Sequence, residues 1–317
     1  MRVNAVVNVL LALVLTPFAM TPTTSPSSVA LSDVIARAVQ IETGSFPLAG
    51  HRGPQRVDVQ SLGVVTDAPS VLIRDVETGV PLMQRGEEIK RPIASITKLM
   101  TALVLLEDYT WNWEDAATVK QEDVTVGGRW YYRFNDALNM EDLFTMMLVA
   151  SGNNETHALV REVGATQEEF VAKMNRKAEQ IGMQNATFGD PIGLDPHNAA
   201  TAQDVMVLLN EALQHEEIAS RVAHGSVHVV SGIGNVYDVE GTNELFHSFL
   251  NQSPYKVVGG KTGSLDEAGY CLTTRIERDG HLVDVVVLGA SQPEARFSDA
   301  KDLVSWAFDV FSWERDL

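Results

Sequence analysis

The chain has 317 residues, 45% of them hydrophobic and 21% charged, enough to bury a sizeable core in one large domain or two modest ones. Its formal net charge of −18 repels phosphate backbones and anionic bilayers. That argues against nucleic-acid binding and membrane-surface docking, and an anionic substrate has to be met by a local cation.

The first twenty residues, MRVNAVVNVLLALVLTPFAM, hold one early arginine and then an apolar run near Ala5 to Leu15; a linker-like TPTTSPSS follows. This layout resembles a secretory signal peptide. The run is short for a membrane span, which needs roughly 20 apolar residues. The expectation is an exported protein, periplasmic or otherwise extracytoplasmic, whose leader is either cleaved or kept as an N-terminal anchor. Residues 1–30 are therefore set apart as signal peptide and linker, and 31–317 as one domain.

LSDVIARAVQIE reads as a short helix, and the Gly/Pro-rich stretch to about Pro69 carries no assignable pattern. In SVLIRDVETGVPLMQR two β-rich runs flank Glu77-Thr78-Gly79, which predicts a hairpin. PIASITKLMTALVLLE predicts a helix over 95–107 that is apolar almost all round. From about 108 to 225 the pattern is mostly helical. Within it, Thr166 with Glu169 three residues on predicts a capped start, Gly182 a stop, and Thr201 a second cap. Strands then return. GYCLTTRIERDGHLVDVVVLGA joins two β runs at Asp279-Gly280, a strong hairpin signal. SDAKDLVSWAFDVFSWERDL predicts a final amphipathic helix whose acidic polar face suits packing on a sheet rather than on a membrane. The one cysteine, Cys271, excludes an internal disulfide and reads as a structural thiol in a strand. Strands at both ends of the domain predict one shared sheet, an α/β (α+β) fold, with the helical middle inserted beside it.

The apolar helix raises a chemical question, because it carries Ser95 and Lys98 three residues apart and so on one face. Burial lowers a lysine pKa and turns it into a base near neutrality. A serine becomes a useful nucleophile when such a base takes its proton. A helix start also offers free N–H groups to a developing oxyanion. The bland alternatives are a snorkelling lysine and a serine N-cap. Ser-x-x-Lys occurs three times here, at Ser95, Ser253 and Ser298, so the spacing alone decides nothing.

Two further motifs separate the first match from the others. VASGNNE holds Ser151-Gly152-Asn153, by default a turn, and GGKTGS holds Lys261-Thr262-Gly263, by default a strand end. In this order, 56 residues from Ser95 to Ser151 and 110 from Ser151 to Lys261, they form the motif triple of β-lactamases and penicillin-binding proteins.

The chain resembles the low-molecular-weight penicillin-binding proteins, the serine D-alanyl-D-alanine peptidases. The resemblance runs from about Ala68 to the last helix and includes APSVLIRDVETG, RPIASITKLMTA, NATFGDPIGLDPHNAATAQDV, GTNEL and AGYCL. It implies the β-lactamase/transpeptidase-like fold, an antiparallel sheet flanked by helices with an inserted all-helical subdomain. It implies Ser95 as the acylated nucleophile, Lys98 as its base, Ser151 as relay to the leaving amine, and Asn153 as the group that orients Lys98 and the substrate amide. Lys261 and Thr262 would receive the D-Ala carboxylate. Gly263 would leave room for substrate backbone along the strand edge. The backbone N–H groups of Ser95 and Ser264 would form the oxyanion hole.

The implied reaction is acyl transfer on peptidoglycan stem peptides, with β-lactam antibiotics as mimics and no cofactor or metal; His215-Glu216-Glu217-Ile218-Ala219 lacks the second histidine of a zinc motif. The first expectation is a D,D-carboxypeptidase. The alternative is a D,D-endopeptidase, because RPIASITKLM is similar to the single-domain endopeptidase branch, which carries no further β domain and no C-terminal anchor. A third reading is a non-catalytic peptidoglycan-binding protein. A β-lactamase of the common serine class needs Glu-x-x-Leu-Asn, and here Asn135 and Met206 stand where the glutamate would. Two departures from the family put substrate preference in doubt: Asn154 where Asp is usual, and Ser264-Leu265 where a bulky residue and Thr are usual.

Overall fold

The computed structural model describes residues 53–127, 129–134 and 136–313. The leader and the helix expected after residue 31 lie outside these.

A hairpin opens the described fold, β1 (Ser70–Asp75) and β2 (Pro81–Arg85), as the Glu77-Thr78-Gly79 turn predicts. Helix α1 covers Thr97–Asp108, and a single 3₁₀ turn, Ala94–Ile96, leads into it. The next stretch, 109–139, departs from the helical expectation. It holds one 3₁₀ turn, Gln121–Asp123, and a two-residue ladder, Ala116–Ala117 with Leu138–Asn139. Helices then follow: α2 (Met140–Val149), α3 (Asn153–Glu162), α4 (Gln167–Ile181), α5 (Ala202–Ala212) and α6 (Glu216–Val222). A small hairpin, β3 (Ser226–Val230) and β4 (Val236–Glu240), precedes β5 (Tyr255–Leu265), β6 (Gly269–Arg278) and β7 (His281–Ala290). Helix α7 (Ala295–Val310) closes the fold.

Local chemistry explains the boundaries. Thr166 accepts the Glu169 N–H at 3.2 Å while the Glu169 carboxylate accepts the Thr166 N–H at 3.1 Å, a reciprocal cap. Gly182 ends α4 in the left-handed region, at φ +85°. Thr201 and Asp204 repeat the cap on α5. Asp279 and Gly280 both have positive φ, +54° and +84°, as the tightest hairpin turns require. The last helix ends sooner than its pattern suggests. At Phe311 the chain turns extended, and Phe311–Ser312 pairs with Gln55–Arg56 in the segment that carried no sequence signal. Replacing Thr166 by alanine should cost about 1 kcal/mol of stability and leave Ser95 chemistry untouched; a denaturant midpoint beside a penicillin-labelling rate checks both.

The five long strands form one antiparallel sheet in the order β5-β6-β7-β1-β2. Strand β7 is apolar on both faces because both are covered. Val283, Val285 and Val287 pack with Leu303, Val304 and Ala307 of α7. Val286 and Leu288 pack into the larger cluster of the helical body, with Leu99, Leu103 and Phe144. Cys271 is buried in β6, and burial pushes its thiol up to about 11, so it stays a thiol. The sheet's outer strand, β5, runs beside the 3₁₀ turn that carries Ser95, and there the functional groups converge.

Candidate active site

The nucleophile turn is fixed by backbone rather than by capping. Ala94 has φ +47°, an unusual conformation for a side-chain-bearing residue and one that concentrates at functional sites. Ser95 accordingly caps nothing, and the regular helix starts two residues later, at Thr97. Two glycines press on this turn. A Cβ on Gly193 (φ +86°) would collide with the Ala94 carbonyl and lie 2.8 Å from the Ser95 nitrogen. A Cβ on Gly263 would lie 2.6 Å from the Ile93 oxygen and 3.1 Å from the Ser95 nitrogen. Gly263 thus approaches the nucleophile turn closely.

Lys98 is completely buried one turn into the helix. Its Nζ lies 3.1 Å from Ser95 Oγ, 2.7 Å from Asn153 Oδ1 and 2.7 Å from the Ile192 carbonyl oxygen. Desolvation lowers its pKa to about 7, against opposing pulls from Asp190 and Glu155. Both oxygens on Asn153 and Ile192 can only accept. A neutral amine has two N–H bonds, so these two acceptors use both. The remaining lone pair then faces the Ser95 hydroxyl.

Ser151 also has positive φ, +60°, at the turn between α2 and α3. Its hydroxyl oxygen is buried and has no hydrogen-bond partner among the described residues. Asn153 is the first residue of α3, so the turn and the helix start aim Ser151 and Asn153 together.

A cavity of about 320 Å³ joins the motifs: Ser95, Ser151, Asn153, Thr262, Gly263 and Ser264 all border it. Lys98 and Lys261 stand behind the wall, outside that lining. Lys261 is buried, and its Nζ lies 3.3 Å from the Thr262 carbonyl oxygen. Burial holds the Lys261 ammonium well below its usual range, and the charges of Lys98 and Arg296 push the same way. Two arginines border the cavity, Arg129 and Arg296; Arg296, from the first turn of α7, donates to the Gly263 carbonyl at 3.0 Å. Thr242 borders the cavity too and hydrogen-bonds the Thr262 hydroxyl.

Several residues escaped the sequence reading. Asp190 gathers five donors: the N–H groups of Ile192, Gly193, Leu194 and Asp195 and the Asn198 side-chain amide, at 2.5–3.1 Å. It thereby shapes the loop whose Ile192 carbonyl holds Lys98 and whose Pro191 carbonyl accepts from Thr101. Glu155 is buried beneath Gly152; it accepts from the Tyr132 hydroxyl at 2.8 Å, and burial pushes its pKa up. Asn154, which the sequence marks as a departure from the family, is buried outside the cavity lining and accepts the Thr125 N–H at 3.0 Å. Among the described residues, Glu107, Glu211 and His215 could converge on a metal, but the Lys177 ammonium already lies 2.6 Å from Glu107 and 3.8 Å from Glu211.

In a comparison against known families, the D-alanyl-D-alanine carboxypeptidase family matches residues 57–292. The chain belongs to that family. Relatives carry two names. A D-alanyl-D-alanine endopeptidase of Pseudomonas aeruginosa is 31% identical over 75% of this chain and 76% of its own. A D-alanyl-D-alanine carboxypeptidase of Bacillus subtilis is 26% identical over 77% of this chain, and the match spans 63% of that protein. Among solved structures, a variant of a Streptomyces DD-transpeptidase superposes with a TM-score of 0.70 at 25% identity, over 78% of this chain and 99% of that one. Penicillin-binding protein D2 of Listeria monocytogenes, in its ampicillin-bound form, gives 0.66 at 28% identity over 78% and 99%. The antiparallel sheet with its helical body is therefore the transpeptidase/β-lactamase-like fold of this peptidase family.

Proposed function

We propose that the protein is a serine D-Ala-D-Ala carboxypeptidase of peptidoglycan stem peptides, working through an acyl-enzyme on Ser95. The observation that carries this reading is the hydrogen-bonding of Lys98. Its two acceptors leave the amine lone pair for the Ser95 proton, and its pKa of about 7 makes the neutral form available at neutral pH.

Ser95 Oγ attacks the penultimate D-Ala carbonyl carbon and Lys98 takes the hydroxyl proton. The tetrahedral oxyanion sits between the Ser95 and Ser264 N–H groups. The C–N bond then breaks, and the unpartnered Ser151 hydroxyl gives its proton to the leaving amine and takes up the one held by Lys98, which returns the lysine to its neutral form. Thr262, Thr242 and Arg296 meet the terminal carboxylate, with Lys261 buried behind the wall they form. Water attacks the acyl-enzyme with Lys98 again as base, and the stem is released one residue shorter. A β-lactam presents a similar carbonyl and carboxylate to the same groups, which makes penicillins the natural active-site label. The cell wall as substrate puts the work outside the cytoplasm, in keeping with the leader read over residues 1–30. Among the described residues no helix is long and apolar enough to cross a membrane.

A second reading, cleavage of cross-links by the same residues, is supported by the endopeptidase relatives, whose own length the match covers to 76% and 84%. The test uses peptidoglycan holding both pentapeptide stems and cross-linked dimers, with Ser95→Ala as control and products read by mass spectrometry. Free D-Ala absent from the control is the expected result. No product from either substrate would sink the proposal.

A further inference from the structure

The Ser151-Gly152-Asn153 turn rests on a buried carboxylate that stands outside the catalytic cavity. Glu155 is the third residue of α3 and is completely buried. Its Oε1 accepts from the Tyr132 hydroxyl at 2.8 Å. Its Oε2 is buried as well and has no hydrogen-bond partner among the described residues. A Cβ on Gly152 would collide with that oxygen, so the glycine of the motif is what lets the carboxylate come up under the turn. Asn153, two residues before Glu155, carries the Oδ1 that lies 2.7 Å from Lys98 Nζ. A buried acceptor left half-filled destabilises the fold, and native structures keep few of them.

The charges around Lys98 give this one a use. Burial lowers the Lys98 pKa to about 7, and Asp190 and then Glu155 pull it back up. Burial raises the Glu155 pKa, and the Tyr132 hydroxyl and the Lys98 charge oppose the rise. The neighbouring titratable groups are engaged otherwise. Asp190 is filled by five donors of its own loop. Asp123, which acts on Tyr132, lies 2.8 Å from the Arg161 guanidinium. Burial pushes His157 of α3 and Lys261 of β5 toward their neutral forms. When Lys98 takes the Ser95 proton, an ammonium forms in a fully buried place, and a fixed opposite charge nearby eases its formation.

We propose that Glu155 is a positioning residue for the Ser95 reaction: its carboxylate carries the Ser151–Asn153 turn from beneath and is the counter-charge for the ammonium that Lys98 becomes during acylation. No proton passes to Glu155. The Tyr132 hydroxyl belongs to the arrangement, because its hydrogen bond favours the charged carboxylate. This rests on Lys98 as the base and adds what stabilises its charged form.

The experiment measures penicillin acylation of Ser95 from pH 5 to 9 in wild type, Glu155→Gln, Tyr132→Phe and Glu162→Gln. Glutamine keeps the shape and can still accept from Tyr132, so it removes the charge alone. The rise of acylation with pH, centred near 7 in the wild type, should move about one pH unit lower in Glu155→Gln, and the plateau above it should fall about tenfold. Tyr132→Phe should move the rise the same way by less. Glu162→Gln removes an exposed charge at the other end of α3 and should leave rise and plateau unchanged. A rise that stays near 7 in Glu155→Gln, or acylation lowered equally at every pH, overturns the counter-charge and leaves Glu155 as packing. Should Glu155→Gln not fold, an unmoved rise in Tyr132→Phe overturns it equally. A wild type with no rise near 7 would instead overturn Lys98 as the base, and this inference with it.

Discussion

Lys98→Arg is expected to slow acylation of Ser95 by about 10²–10⁴-fold, the usual contribution of a positioned general base. The arginine keeps a positive charge and can donate to Asn153 and Ile192, so it tests the one thing lysine has in addition, the ability to become neutral. In the wild type, acylation should rise with pH through about 7, where Lys98 loses its proton, and then level off. Stop-flow penicillin labelling from pH 5 to 9 measures this limb; a flat profile, or full activity in Lys98→Arg, removes Lys98 as the base.

The same shift sets a stability slope. Lys98 titrates near 10.5 when unfolded and near 7 when folded, so between these values the unfolded chain holds more protons. Folding therefore becomes more favourable as pH rises from 7 to 10.5, by on the order of 5 kcal/mol in total. Lys98→Met should lose that slope. Its absolute stability is a less direct readout, because methionine leaves the Asn153 and Ile192 oxygens without their donor.

Gly193→Ala is expected to cut acylation about 10²-fold or more and to cost about 3 kcal/mol. Two effects add: a methyl-bearing residue forced to φ +86°, and an overlap with the Ala94 carbonyl and Ser95 nitrogen. Gly182→Ala separates them. Gly182 has nearly the same φ, +85°, and nothing within 4 Å of its would-be Cβ. It should show the conformational cost alone, about 1 kcal/mol, with acylation unchanged. If both variants acylate equally well, the contact with the nucleophile turn is not what positions Ser95.

The parts of this protein that were legible in the sequence are those set by local chemistry. Thr166 with Glu169, Gly182, and Asp279-Gly280 mark boundaries because a cap or a tight turn needs only neighbours along the chain. The three motifs were legible because each is short and their order is informative. The Asp190 loop was not, although its residues were among those that resemble the family. An aspartate whose acceptors are filled by the next few N–H groups looks in sequence like any polar turn, and its meaning comes from Lys98, 92 positions earlier. The sequence places Ser95 at the start of a regular helix; the positive φ of Ala94, beside which Gly193 and Gly263 pack closely, sets that start back. The close approach of Gly263 to residues 93–95 is likewise invisible until the two segments are laid together. Arg296 gave no signal, since an arginine near the start of an amphipathic helix is ordinary until strand β5 is laid beside it. The strand Gln55–Arg56 forms only by pairing with a segment at the far end of the chain, which no local pattern can show.

The wedge of main-chain atoms around Ser95 has a consequence for how this enzyme can change. Residues 93–95, Gly193 and Gly263 meet through backbone and bare α-carbons, so the attacking oxygen is located without help from the side chains that face the substrate. Those facing side chains, among them Thr242, Glu244 and Ser264, can be exchanged without displacing the nucleophile. Selectivity and reactivity are thereby heritable as separate traits, and drift in the cavity wall can redirect the enzyme among peptide architectures while the placing of the Ser95 oxygen persists.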